Sequence, residues 1–112
     1  MVATAVVLFL MAALGGLYMA TRIFQGVFPP GIVAVAHGAL AATALVITIL
    51  AALQPEADAR VKYGAGILLL AALGGLFLAS FHLRRLPHPR PVVVIHALVA
   101  VTGVSCLLLT LL

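Results

Sequence analysis

The sequence predicts an all-α fold: an integral membrane four-helix bundle made of two tandem, parallel-repeat transmembrane hairpins. Three observations carry that expectation: an overwhelmingly apolar composition, four apolar stretches of spanning length, and an ungapped match of the chain to itself at an offset of 59 residues. Of the 112 residues, 66% are hydrophobic and 7% charged. So few polar side chains cannot coat a water-soluble globule of this size. Crossing the hydrocarbon core takes about 20 residues at ~1.5 Å rise each. Four stretches qualify: Val2 to Phe24, Pro30 to Leu53, Val61 to Leu83, and Pro91 to Leu112. Little chain remains outside them, which excludes a soluble catalytic domain and leaves one transmembrane domain over residues 1–112.

The first stretch lacks the basic leader of a signal peptide, and its apolar run exceeds the usual ~7–15 residues, so it is read as part of the fold. The second opens at Phe28-Pro29-Pro30-Gly31 and the fourth at Leu86-Pro87-His88-Pro89-Arg90-Pro91. Proline suits a helix start because its missing N–H has no intrahelical partner there. The polar run Gln54-Pro55-Glu56-Ala57-Asp58-Ala59-Arg60 precedes the third stretch and joins the two halves.

The self-match is specific. Ala12-Ala13-Leu14-Gly15-Gly16-Leu17 recurs as Ala71-Ala72-Leu73-Gly74-Gly75-Leu76, and in the same frame Pro30 meets Pro89, Thr43 meets Thr102 and His37 meets His96. Leucine, alanine and valine match by chance in any apolar sequence, whereas a shared Gly-Gly, proline and histidine do not. The reading is repeat 1 over about residues 1–53 and repeat 2 over about 60–112. Each holds an even number of spans, so both enter the membrane from the same side.

The net charge of +4 comes from residues in the connections. Arg22, Arg84, Arg85 and Arg90 flank the hairpin loops, against Arg60 and Lys62 on the opposite side. This favours hairpin loops in the cytoplasm and both termini outside, in a bacterial inner membrane. The bilayer, and not nucleic acid, is the expected partner of these charges. Cys106 lies among leucines in the fourth span, so no disulfide framework exists.

Ionisable residues deep in a span are costly and usually functional. Here no carboxylate lies in a span, which argues against a proton-coupled exporter, and the histidines His37 and His96 remain. Each lies seven residues past a helix-opening proline, about 10 Å along its helix, so the two imidazoles are level. Gly15-Gly16 and Gly74-Gly75 fall at the same depth on the partner helices, where missing side chains admit a helix or a flat cofactor. Two level imidazoles from the second and fourth helices suit the axial positions of haem b, with facing nitrogens about 4 Å apart. Arg22, Arg84 and Arg85, with Arg90, are candidates for the propionates. The competing readings are buried histidines bonded to backbone or to each other in a cofactor-free structural subunit, or ligands of two chlorophyll-type pigments. The inward seam His37, Ala41, Ala44, Thr48, echoed by His96, Ala100, Gly103, is read as ordinary small-residue packing. His82 and His88 fall at the interface or loop and are read as surface or quinone-site residues.

This arrangement resembles the four-helix b-type cytochromes of respiratory membranes, including the cytochrome b561 group and the anchor subunits of membrane-bound dehydrogenases. They too hold haem between histidines on transmembrane helices. The likeness is one of design, with no family residue carried over. It implies single-electron transfer between a partner and quinone rather than a stand-alone enzyme, with other membrane subunits or a second copy of the chain as neighbours.

Overall fold

The computed structural model describes residues 1–112 as four helices and no strand: α1 Val2–Phe24, α2 Gly31–Ala52, α3 Ala59–Leu83 and α4 Arg90–Leu109. Each is long and apolar enough to cross a membrane. The boundaries depart from the sequence reading by at most three residues, for local reasons. α3 begins at Ala59 because Asp58 caps it, its Oδ1 accepting the Arg60 backbone N–H at 2.8 Å. The Arg60 guanidinium pairs with the same carboxylate at 2.8 Å and donates to the Leu109 carbonyl at 3.0 Å, joining the start of α3 to the end of α4. α4 is helical as far as Leu109, three residues short of the expected Leu112.

α1 and α3 end in the same hydrogen-bonded turn. After α1, the Val27 N–H reaches the Arg22 carbonyl at 2.9 Å and the Gly26 N–H reaches Ile23 at 3.0 Å. After α3, Leu86 reaches Phe81 at 2.9 Å and Arg85 reaches His82 at 3.1 Å. This pair of bonds needs a left-handed residue, the role glycine fills at low cost. Gly26 fills it at φ +75°, but 59 residues on Arg85 holds the strained conformation at φ +54°.

α1 packs along α2 and α3 along α4, with α2 against α3 and α1 against α4 closing the ring. The diagonals of the bundle are therefore α1/α3 and α2/α4. The molecule measures 45 × 23 × 23 Å, and its long axis matches the ~40–45 Å of a bilayer with its headgroups. Large apolar side chains face outward, Ile32 at 82% and Leu76 at 68% exposure. Such a surface suits hydrocarbon and would aggregate in water.

Close packing is confined to one half. Ala5, Val6, Phe9, Ala44, Ala51, Val61, Leu68 and Leu107 form the core around buried Thr48, all distant from the hairpin loops. The Thr48 hydroxyl donates to the Ala44 carbonyl at 2.8 Å, so its burial leaves no orphan. Glycine sets the α3–α4 approach: a Cβ on Gly103 would lie 2.5 Å from Leu68 Cγ, and one on Gly64 would lie 2.9 Å from Leu107 Cδ2. The lower part of the seam is thus helix packing, as read. Cys106 beside it is a half-buried free thiol. Between the histidine level and the loop end, only Pro29 and Val93 are buried.

Two outcomes follow. Gly103→Leu forces overlap with Leu68 and should lower stability by about 1–3 kcal/mol, whereas Gly66→Ala, with nothing within 4 Å of its new methyl, should not; unfolding in detergent monitored by circular dichroism compares them. The Asp58 carboxyl is held down at about 2, first by its side-chain bond from Arg60 and then by the Arg60 backbone N–H. A depressed carboxylate stabilises the fold above its ordinary range and loses that contribution as pH falls toward 2. Asp58→Asn should flatten this acid limb of the melting-temperature profile.

Candidate functional site, an imidazole pair on the bundle diagonal

His37 comes from α2 and His96 from α4, the diagonal helices. Each ring is tied within its own hairpin: His37 Nδ1 lies 2.7 Å from the Ala12 carbonyl oxygen on α1, and His96 Nδ1 lies 2.8 Å from that of Ala71 on α3. A carbonyl only accepts, so Nδ1 carries the hydrogen and donates it. In the neutral ring the lone pair then sits on Nε2. Neither Nε2 has a hydrogen-bond partner; the one sealed, unpartnered polar side-chain atom in the molecule is Arg22 Nε.

The glycine pairs explain why the rings reach those carbonyls. In an α-helix the Ala12 carbonyl lies one turn below Gly16, so an imidazole must lie flat on residue 16 to reach it. A Cβ on Gly16 would stand 2.9 Å from His37 Cε1, and one on Gly75 would stand 3.1 Å from His96 Cε1. Gly15 and Gly74 meet the histidine side chains at ordinary contact, 3.6 Å. The space opened by Gly16 and Gly75 is therefore taken up by the histidine rings.

The ring centres lie 6.3 Å apart, with the planes at 77°. Two imidazoles sharing one metal at ~2 Å each, with ~1.1 Å from nitrogen to ring centre, would have centres about 6 Å apart. No group of three or more His, Cys, Asp or Glu side chains converges anywhere in the chain. A metal bound here would draw two ligands from protein, and a closed zinc site needs four. A macrocycle that brings its own four nitrogens meets that requirement, and the loosely filled half of the bundle begins at this level. The residues present fit haem on these grounds.

The arginines are placed differently from one another. Arg22 is half-buried, its guanidinium carbon 5.7 Å from the Tyr18 ring centre, and it lies six residues past Gly16, about 9 Å toward the loops. Arg84 is exposed and engaged on its own helix by the Ser80 carbonyl at 3.1 Å and the Phe81 ring at 4.7 Å. Arg90 donates to the Phe24 carbonyl at 3.4 Å. Arg85 makes no side-chain hydrogen bond and stands at the loop end. Of the four, Arg22 sits nearest to the interior.

His82 and His88 meet Phe28 in an aromatic cluster, with ring centres 4.7 Å (Phe28–His82), 5.6 Å (Phe28–His88) and 5.7 Å (His82–His88) apart. Sequence reading left these histidines separate and passed over Phe28. The available signal was that both hairpin loops end in proline turns, which bring them together at one end of the bundle. In the loop, burial and then the neighbouring His82 lower the proton affinity of His88. Compared with models of known families, with characterised proteins and with solved structures, the chain matches none.

Gly16→Ala should displace the His37 ring from the Ala12 carbonyl, and Gly75→Ala should disturb His96 less, in keeping with the longer 3.1 Å approach. The Nδ1 proton resonances of 15N-labelled histidine report both: loss of the downfield His37 signal in the first variant and a smaller shift of His96 in the second.

Proposed function

We propose that this chain is a small integral membrane b-type cytochrome, or the haem-bearing anchor subunit of a larger complex, built from two tandem parallel hairpins. The observation that carries this reading is the pair of imidazoles on diagonal helices, each held by a carbonyl at Nδ1, free at Nε2, with ring centres 6.3 Å apart. A ligating histidine characteristically donates its other N–H to a carbonyl or carboxylate, which fixes the tautomer and raises its basicity. His37 and His96 are the axial ligands in this reading, and Gly15, Gly16, Gly74 and Gly75 seat their rings. Arg22, whose buried Nε lacks a partner, is the residue that would hold a propionate; Arg84 and Arg85 are further from the interior.

Bound haem supplies a one-electron couple. Haem held by both His37 and His96 would keep no coordination position for oxygen, which favours electron transfer over oxygen chemistry. The separation of the rings favours one shared plane over two separately ligated pigments. The long apolar exterior and the arginine-rich loop end support residence in a bacterial inner membrane with the loops in the cytoplasm. A membrane partner or quinone is the electron donor or acceptor.

The test is a spectrum. Protein expressed with ample haem and purified in detergent should show a Soret band and, on dithionite reduction, paired α and β bands. His37→Ala and His96→Ala should each abolish the low-spin reduced spectrum. A colourless wild-type protein would leave a cofactor-free scaffold in its place.

A further inference from the structure

The loop end of the bundle has a second constellation, separate from the imidazole pair. All four arginines at this end lack a carboxylate partner, because the molecule's single ion pair joins Arg60 to Asp58 at the far end, where Glu56, the only other acid, also lies. Two open clefts flank the exposed Phe28 ring. One, of about 450 Å³, is walled by Phe28, His82 and Arg85; the other, of about 260 Å³, by Phe28, His88, Arg85 and Arg90. Arg85 is common to both.

Arg85 is also where the two hairpins differ without a folding reason. The turn after α1 uses Gly26 at φ +75°, and the matching turn after α3 makes the same two backbone bonds with arginine at φ +54°. A left-handed arginine is strained where glycine is not. Its side chain makes no hydrogen bond or ion pair within the chain, so nothing internal compensates for that strain. A cation held at cost and left unpartnered, lining one cleft with His82 and the other with His88 and sharing both with Phe28, is arranged for an anion from outside.

We propose that the loop end of the bundle, where the two clefts share Phe28 and Arg85 and are completed by His82 on one side and His88 and Arg90 on the other, binds a phosphate group, supplied by an anionic phospholipid of the surrounding leaflet. Arg85 and Arg90 provide charge and N–H donors to phosphate oxygens. The imidazoles add donors, and Phe28 covers the apolar part of the headgroup. Free phosphate shares the recognised chemistry and is the second source to be distinguished. The site does not depend on iron being bound between His37 and His96.

The full chain in detergent is titrated with phosphatidylglycerol, phosphatidylcholine and, separately, inorganic phosphate, and bound ligand is counted by native mass spectrometry. Wild type should retain one phosphatidylglycerol in preference to phosphatidylcholine. Arg85→Gly should weaken it about fivefold, the contribution of one interfacial arginine. The same variant should melt no lower than wild type, because glycine is the native solution at position 26. Arg85→Lys should restore part of the binding, and Lys62→Gln, at the opposite end, should change nothing. If inorganic phosphate binds while phosphatidylglycerol does not, the anion site stands with a soluble ligand. Equal retention of both lipids without phosphate binding, or undiminished binding by Arg85→Gly, overturns the proposal. The visible spectrum, read on the same samples, reports the iron site independently.

Discussion

The arrangement of this bundle depends on the hydrogen bond from each histidine Nδ1 to a backbone carbonyl across its own hairpin, 2.7 Å to Ala12 and 2.8 Å to Ala71. A bare imidazole N–H in an apolar interior carries a desolvation cost of several kcal/mol. Bonding it to a carbonyl already in a helix removes most of that cost without introducing another polar side chain. The bond in turn imposes conditions. The ring must lie against the neighbouring helix, so residue 16 has no room for a Cβ and residue 75 has little, and the two helices must be in a register that brings the histidine one turn above the carbonyl. It selects the tautomer, and it leaves Nε2 with an unbonded lone pair. Any function of the pair, including the electron carrier proposed above, starts from that state.

The two halves of the molecule divide the work of holding this geometry. Far from the loops, Gly64, Gly103 and Ala44 let the helices approach closely around Phe9, Leu68, Leu107 and Thr48. Interiors packed to this density resist deformation, so this half sets the relative positions of the four helices. Above the histidines the side chains no longer close over the centre. The clamp from Asp58 through Arg60 to Leu109 ties α3 to α4 at the packed end, where it steadies the framework without intruding on the open half.

Much of this was legible in the residues. Helix count and approximate extent follow from apolar run length, and the common depth of His37, His96 and the glycine pairs follows from the 59-residue self-match. What was not legible has physical causes. The acceptors at Ala12 and Ala71 are backbone carbonyls, which no side-chain pattern announces. The conjunction of Phe28, His82 and His88 depends on how two loops of different sequence meet, and the match at offset 59 does not relate those three residues. The left-handed backbone of Arg85 is visible only by superposition on Gly26, since arginine does not advertise such a conformation. The end of α4 reads three residues too long in the sequence because Leu111 and Leu112 continue the apolar run after the last helical turn.

The histidine bonds are closed within hairpins and not between them. In the membrane setting proposed above, synthesis delivers α1 and α2 well before α3 and α4, and each polar group must find a partner or wait exposed to lipid. Here the first imidazole meets its carbonyl as soon as its own helix folds back, and the second does the same later without help from the first. Each half thus arrives electrically quiet and sterically preformed. Joining them is a matter of docking two finished surfaces, which brings the two imidazole rings to 6.3 Å between centres with neither Nε2 bonded.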